Sequence, residues 1–324
     1  MDVGGAALVG ATGFVGSNLR RQTSFAACYD SKSISDIRGR RFERVICAGA
    51  PAEMWRANQD PERDDAIIDG LIDNLCAVHC DELVLISTIA VLNDGAAGYT
   101  EDTAAYEKNS AYGRNRRRLE EACAKHFAST KIIRLPALFG TGLKKNFIFD
   151  ILNPAPAFLK PEALGKLKAK ASPAASGLME RYFQFDDALE LFVQDKSAVD
   201  ADTARSALNS AFESLDFSPT AFTNSQSEFQ FYNLEWLNAD IDRMRRSNVD
   251  TLHAASAPIT AGDVYERLTC KAFPSVTSRP AIRKEMFCSR HASLWDQDSL
   301  YLYDHKTVLS ALEAFYEQAK SIKE

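Results

Sequence analysis

The sequence predicts an α/β protein: a doubly wound parallel sheet, followed by a smaller and less regular lobe. Three observations carry this. Short apolar runs alternate with helical patterns through the first half, a glycine-rich turn follows the first of those runs, and the alternation stops after Gly140. A crossover between parallel strands needs a helix's length of chain, and that helix then covers a face of the sheet.

The runs that read as strands are Ala6–Gly10, Ala26–Tyr29, Arg44–Ala48, Leu83–Ser87 and Lys131–Leu135. None alternates cleanly between apolar and polar residues, as expected of strands buried on both faces. Between them, Ala66–Cys80 repeats Ile67, Ile68, Leu71, Ile72 and Leu75 at steps of three and four, the spacing of one helix face, and Tyr112–Phe127 is a second helical segment. Beyond Gly140 the chain is rich in Lys, Pro and Ala. There Arg181–Phe185 predicts a strand that leads through Asp186-Asp187 into a helical run, Ala188–Val193. An amphipathic helix is expected over Val308–Ile322, and the aromatic cluster Phe229, Phe231, Tyr232 and Trp236 reads as core.

Composition excludes several classes. The 324 residues carry 38 basic and 44 acidic side chains, a net charge of −6, so the clustered positive surface of a nucleic-acid binder is not expected. With 46% hydrophobic and 25% charged residues the chain is of ordinary globular composition, neither disordered nor collagenous. No apolar run approaches the ~18 residues of a membrane span. The opening MDVGGAALVGATGFVG has no positive charge ahead of its apolar stretch and is broken by glycine, so it does not read as a signal peptide. Seven cysteines, odd in number and never spaced C-x-x-C, fit reduced thiols in a cytoplasmic protein. Cys76, His79 and Cys80 are read as one helix face, and no metal site is expected.

The strongest local signal is Gly10-Ala11-Thr12-Gly13-Phe14-Val15-Gly16, directly after the first strand and opening a helix. Glycine is demanded there for three reasons: a tight turn, close approach of backbone to a pyrophosphate, and helix packing on strand with no Cβ between. Helix N-terminal N–H groups then hold the phosphate charge. The expected fold is therefore Rossmann-type, with Gly10, Thr12, Gly13, Phe14, Val15 and Gly16 around the dinucleotide. Asp30, 20 residues beyond Gly10 at the end of the second strand, is placed to accept hydrogen bonds from the adenosine ribose, with Ser31 and Lys32 beside it. This favours NAD, while Lys32, Arg20 or Arg21 would suit the 2′-phosphate of NADP. The expected layout is a dinucleotide-binding domain over 1–140, with 181–215 returning to it, and a substrate-binding lobe from 141–180 and 216–324.

The order of motifs resembles the extended short-chain dehydrogenases/reductases, the group that contains nucleotide-sugar epimerases and dehydratases. Gly10, Gly13 and Gly16 meet that family's Gly-x-x-Gly-x-x-Gly pattern. Val45–Ala50 is similar to its third strand and small-residue exit, which implies that Ala48, Gly49 and Ala50 lie against the cofactor. Leu85–Val91 resembles the strand end that carries the catalytic serine or threonine, and Tyr112-Gly113-Arg114-Asn115-Arg116 falls on its Tyr-x-x-x-Lys motif with arginine where lysine stands. Arg134–Gly140 is similar to the stretch after the fifth strand, which adds Leu135 and Pro136 to the cofactor set. Arg181–Asp187 resembles the strand-plus-Asp-Asp element that returns the chain to the cofactor domain. The resemblance covers residues 6–215.

The resemblance implies hydride transfer through the nicotinamide, with Tyr112 as acid/base and Thr88, or Ser87, fixing the reacting oxygen. A tyrosine needs a nearby cation to reach a useful pKa near neutrality. Four residues on along a helix, Arg116 is placed to supply one, although its planar fork cannot reproduce the bonding of an ammonium to the nicotinamide ribose. If the basic run is instead solvated, Arg116–Glu120 and Arg117–Glu121 form surface ion pairs. Thr88-Ile89-Ala90 lacks the acidic residues of the dehydratase subgroup, which excludes water elimination. Lys144, Lys145 and Asn146, with Arg245 and Arg246, are candidates for holding a nucleotide diphosphate; His253 and His291 fall in no motif. The expected activity is that of an NAD(P)-dependent epimerase or ketoreductase on a nucleotide-linked sugar. The alternative is a degenerate dinucleotide-binding regulator or scaffold. A homodimer paired through Ala66–Cys80 and the tyrosine helix is expected.

Overall fold

The computed structural model describes residues 4–215, 217–274 and 280–321. In chain order, β1 (Ala6–Val9) runs through the glycine turn into α1 (Phe14–Gln22), followed by β2 (Ala27–Tyr29) and β3 (Arg41–Cys47). Two helices, α2 (Met54–Gln59) and α3 (Pro61–Cys76), precede β4 (His79–Thr88), and α4 (Ala111–His126) precedes β5 (Thr130–Leu135) and β6 (Ala137–Phe139). Next come α5 (Phe147–Leu152), β7 (Phe158–Leu159), α6 (Pro161–Lys170), α7 (Pro173–Tyr182), β8 (Phe183–Asp186), β9 (Leu191–Gln194), α8 (Lys196–Ala201) and α9 (Arg205–Glu213). The last segment holds β10 (Glu228–Phe229), β11 (Phe231–Asn233), α10 (Leu237–Arg246), β12 (Thr251–His253), β13 (Ile259–Thr260), α11 (Ala261–Thr269) and α12 (His305–Ser321). Ile322, the end of the expected final helix, lies outside the described residues, as do 216 and 275–279 of the expected lobe.

The chain forms two units. The first comprises Met1–Leu143, Glu228–Ile259 and Lys284–Leu312; the second comprises Lys144–Ser227, Thr260–Arg283 and Glu313–Glu324. The first unit contains a six-stranded sheet of order β12-β5-β4-β3-β1-β2, parallel throughout. The four inner strands β1, β3, β4 and β5 each feed two cores with alternate residues. Leu8, Ile46, Val84 and Ile133 face Leu19 of α1 and Leu237 and Ile241 of α10. Ala7, Val9, Val45, Leu83, Leu85 and Ile132 face Ile68, Leu71 and Leu75 of α3 and Leu119 and Cys123 of α4. Burying each such Leu or Ile contributes about 1.5–3 kcal/mol, which is why these strands are apolar at successive positions.

Helix α3 begins five residues before the expected Ala66: Pro61 occupies its first turn, and Asp60 caps it by accepting a hydrogen bond from the Arg63 N–H at 3.1 Å. It stops at Cys76, so Cys80 lies in β4 and the two thiols do not share a helix face. Among the described residues no group of three or more His, Cys, Asp or Glu is arranged to hold a metal ion, and no helix is long and apolar enough to cross a membrane.

The second half departs from expectation. Residues 181–215 do not return to the first unit. Arg181 and Tyr182 end α7, and Ala188–Val193 is not a helix: Leu191–Gln194 is a strand, the middle one of an antiparallel sheet β7-β9-β8 within the second unit. Phe183 and Tyr182 pack with Leu159, Leu164, Leu208 and Phe212 into that unit's own core. Asp186 supplies a turn, its Oδ1 accepting from the Ala188 and Leu189 N–H groups at 2.9 and 3.1 Å. The segments that belong to the first unit are 228–259 and 284–312, with β11 pairing in parallel with β6 and β12 extending the main sheet beside β5. Tyr232, expected in the core, is fully buried there.

Candidate active site

Open parallel sheets bind ligands outside the carboxyl ends of their strands. The first unit gathers most of the expected site residues at those ends. After β1, Gly10 takes φ +82°, and a Cβ there would lie 2.3 Å from the Ala48 carbonyl oxygen; a Cβ on Gly16 would lie 2.1 Å from the Gly10 oxygen. The protein's own backbone thus requires both glycines. Gly13 differs: its φ is −73°, and an added Cβ would meet only the Gly10 oxygen, at 3.3 Å. Gly13 caps α1 without a side-chain hydrogen bond to the first-turn N–H groups. A bare helix N-terminus that leaves room only for backbone fits a dinucleotide pyrophosphate. Thr12 is exposed at this turn, while Phe14 and Val15 are half-buried against the core.

Ala48–Gly49–Ala50 leaves β3 beside the turn, with the Ala48 N–H bonded to the Val9 carbonyl at 2.9 Å. Asp30 ends β2, and its Oδ1 accepts from the Lys32 N–H, the Ser33 N–H and the Ser33 hydroxyl at 2.9, 3.0 and 3.0 Å. Those bonds hold its carboxyl below the usual range, the Lys32 N–H foremost. Asp30 is therefore a turn residue as well as a candidate ribose ligand, with Ser31 and Lys32 exposed on the same turn.

Tyr112 and Thr88 come together through a close helix–loop contact. A Cβ on Gly113 would lie 2.2 Å from the Ala90 carbonyl oxygen, so only glycine lets the start of α4 press onto the turn after β4. Asn58 of α2 fixes that start by accepting from the Tyr112 N–H at 3.1 Å and the Ser110 hydroxyl at 2.9 Å. The Tyr112 side chain is buried beside that of Thr88. Burial pushes its phenol above the ordinary tyrosine value; Arg116 and the Thr88 hydroxyl act in the opposite direction without offsetting it, and Asp64 adds to the rise. Thr88 stands in register with Leu135, which leads directly into Pro136.

Arg116 is buried and bonded within the first unit. It is 2% exposed, its Nη1 donates to Asp64 Oδ2, and its Nη2 donates to the Pro51 carbonyl at 2.6 Å. The guanidinium carbon lies 4.0 Å from the centre of the Tyr112 ring, so the cation stacks on the ring face. Asn115 donates to the same Asp64 oxygen at 2.8 Å. The solvated reading does not hold: the arginine is buried, it lies against Tyr112 and lowers the phenol's pKa as its spacing implies, and its charge is also matched by Asp64. The expected Arg116–Glu120 pair is also replaced. Glu120 is fully buried and accepts a two-pronged interaction from Arg134, at 2.9 and 2.7 Å, while Arg117 bonds to both Glu120 and Glu121. Ser87, the alternate to Thr88, donates to Glu120 Oε1 at 2.6 Å.

His253 stands beside Arg134 with no solvent exposure, its Nδ1 3.0 Å from the Cys288 carbonyl and its Nε2 3.2 Å from Arg134 Nη1. Asp64 is not singled out by sequence, Glu120 reads there only as a surface ion-pair partner, and His253 falls in no motif. A signal existed for two of them: Asp64 falls on the stripe Ile68, Leu71, Leu75, and Glu120 stands eight residues after Tyr112 on one helix face.

The expected substrate residues open the second unit. Lys144 and Lys145 are exposed, and Asn146, at φ +108°, caps α5 by accepting from the Ile148 and Phe149 N–H groups at 3.0 and 3.2 Å. Arg245, in the first unit, is half-buried and paired with Glu82.

No protein-family model matches the chain. No curated protein matches it either. Solved structures match along almost its whole length. A UDP-N-acetylglucosamine 4-epimerase from Methanobrevibacter ruminantium M1 superposes with TM-score 0.61 at 11% identity, covering 99% of both chains. The RMD protein of Pseudomonas aeruginosa, complexed with NADPH, gives 0.61 at 14% identity over 98% of this chain and 99% of its own. A dTDP-4-dehydrorhamnose reductase from Bacillus anthracis str. Ames, in complex with NADP, gives 0.59 at 13% identity, again over 98% and 99%. The resemblance read from the motifs therefore holds for the architecture, and the chain has the fold of the extended short-chain dehydrogenases/reductases.

Proposed function

We propose that the protein is an NAD(P)-dependent oxidoreductase acting on a nucleotide-linked sugar, and that it works as a ketoreductase with Tyr112 as proton donor. The reading rests on one observation above all: a buried Tyr112 phenol beside Thr88 at the carboxyl end of β4, with Arg116 against its ring and paired to Asp64. A bound reduced nicotinamide supplies the hydride in this chemistry. The chain's own part is to hold the phosphates on the Gly10–Gly16 turn, orient a ketone oxygen with the Thr88 hydroxyl, and give that oxygen a proton from Tyr112.

Reduction begins with a protonated phenol, whereas an epimerase must begin by removing a proton and so needs the phenolate. Burial, with Asp64 adding to it, outweighs the lowering by Arg116 and favours the protonated phenol, which suits the reducing direction. Lys144, Lys145 and Asn146 are assigned to the nucleotide diphosphate, and NAD and NADP both remain compatible with the Asp30–Lys32 turn. The first unit leaves Met54, Trp55 and Ile67 of α2 and α3 exposed at 46, 53 and 43%, and we assign α3 and α4 to a homodimer contact.

The test is to incubate the protein with reduced cofactor and a panel of keto nucleotide sugars while following the nicotinamide absorbance. Oxidation of cofactor that Tyr112→Phe lowers by about 10²–10⁴-fold supports the assignment. Cofactor binding without turnover on any keto sugar would overturn it in favour of a dinucleotide-binding regulator. The commitment of Arg116 to Asp64 and to the Pro51 carbonyl is the observation that favours this second reading.

A further inference from the structure

The search outside the Tyr112–Thr88 pair leads to a polar row across the main sheet. Ser87, Arg134 and His253 are register partners on three adjacent parallel strands, β4, β5 and β12. All three belong to one bonded cluster, which has the Glu120 carboxylate of α4 at its centre. Ser87 and Arg134 Nε bond to Glu120 Oε1, Arg134 Nη2 and Arg117 Nη1 bond to Oε2, and Arg134 Nη1 continues to His253. The side chains of Glu120 and Arg134 are 0 and 3% exposed. The loop between β4 and α4 is tied in as well: Glu101 Oε1 accepts from the His253 N–H at 2.7 Å and the Ser289 hydroxyl at 2.6 Å, and the Arg117 guanidinium stacks 3.8 Å from the Tyr106 ring centre.

A carboxylate with no solvent exposure is costly to bury, and a core of Leu or Met would join helix to sheet at least as firmly. What the carboxylate adds is direction. It bonds Ser87, whose neighbour is Thr88, from the same helix that carries Tyr112 two turns earlier. We propose that Glu120 is a positioning residue: by fixing α4 to the ends of β4 and β5, it sets the place of the Tyr112 phenol beside Thr88. This rests on the reading of Tyr112 as proton donor, and the experiment below separates the two.

The experiment compares Glu120→Gln, Ser87→Ala and the double variant Glu120→Gln/Arg134→Met with the unchanged chain. Two quantities are read: turnover on an accepted keto sugar, and the pH at which Tyr112 ionises. The latter comes from the ultraviolet difference between each protein and its Tyr112→Phe counterpart, and needs no substrate. Loosening α4 should admit water to the phenol, moving its ionisation down towards the ordinary tyrosine range. Turnover should fall by about tenfold or more with the cofactor KM unchanged, the scale expected when a reacting group is displaced by about 1 Å. Ser87→Ala leaves the Glu120–Arg134 pair intact, and the double variant removes the buried charge on both sides, so the result stands even if Glu120→Gln alone does not fold. Unchanged Tyr112 ionisation in folded Ser87→Ala and in the double variant would overturn the proposal. If Tyr112→Phe itself leaves turnover unchanged, the proton-donor assignment fails, while the titration still reports whether Glu120 holds Tyr112 in place.

Discussion

Arg116 and Asp64 form a buried ion pair that lies flat against the ring of Tyr112, with side-chain exposures of only 3 and 5%. In the resembled family a lysine stands at the position of Arg116, so a single substitution on α4 is matched by a carboxylate on α3. The pair also anchors the cofactor side of the unit, because the second nitrogen of the fork holds the Pro51 carbonyl just beyond Ala48–Ala50.

Breaking this pair from one side leaves an uncompensated buried charge. Asp64→Ala should cost about 3–5 kcal/mol, read as a fall in the urea midpoint. Arg116→Lys keeps the charge but has no planar fork to span Asp64 and Pro51, and it loses the ring stacking. We expect it to destabilise the protein without raising turnover. Faster turnover by Arg116→Lys would show that a lysine regains the ribose contact from within this pocket.

The glycine turn makes a graded prediction. Gly13→Val crowds the Gly10 oxygen, 3.3 Å from the new Cβ, and weakens the α1 cap, so it should lower the melting temperature modestly while abolishing dinucleotide binding measured by calorimetry. Gly10→Ala and Gly16→Ala force a methyl into backbone at 2.3 and 2.1 Å and should destabilise the fold itself. Equal loss of stability in all three variants would remove the argument for a phosphate at Gly13.

His253 should make stability sensitive to mild acid. Its Nδ1 faces a carbonyl, which only accepts, and its Nε2 faces an arginine, which only donates; the neutral ring protonated at Nδ1 satisfies both. Burial lowers its pKa, Arg134 lowers it further, and Glu101 acts the other way. A histidine depressed in the folded state contributes stability that is present above its unfolded value of about 6.5 and is lost as the pH falls below it. The expected outcome is a fall in melting temperature between pH 7 and pH 5 that is shallower in His253→Gln, although that variant starts lower. Parallel curves for the two proteins would exclude His253 as the titrating group.

The homodimer assignment is tested at Ile67, which is 43% exposed at the border of the buried helix face formed by Ile68, Leu71 and Leu75. Ile67→Asp should convert a dimer to a monomer by light scattering at micromolar concentration without changing the melting transition of the monomer. A wild-type chain that is already monomeric would sink the assignment.

Legibility in the sequence followed the range of the forces. The turn Gly10–Gly16 and the five strands of the first half rest on local backbone demands and apolar runs, and these are written in consecutive residues, whereas the pairing of Tyr112 with Thr88 is reached only through the family resemblance. Residues 181–193 were misread because Asp186-Asp187 marks only a turn; nothing in a short run says which sheet it joins. The true return, at Phe231–Asn233, carries buried aromatics that read merely as core. The partner of Arg116 was missed for another reason. A basic run on a helix looks solvated or catalytic, and its partner Asp64 lies on a different helix, visible only as an acidic residue on an apolar stripe.

The six-stranded sheet closes with a strand from late in the chain, and this sets an order of assembly. β12 reaches its place beside β5 only after the segment Lys144–Ser227 has been synthesised, and the rest of the first unit follows with Lys284–Leu312. A nascent chain that has delivered α4 and β5 has Glu120 and Arg134 in hand but not His253, and the edge of β5 is an open row of backbone donors and acceptors. Closing so long a loop is entropically slow, and a chain halted before residue 251 presents that edge to any strand nearby. Truncated translation products of this protein are therefore expected to be aggregation-prone, shielded only while a ribosome or chaperone covers the edge of β5.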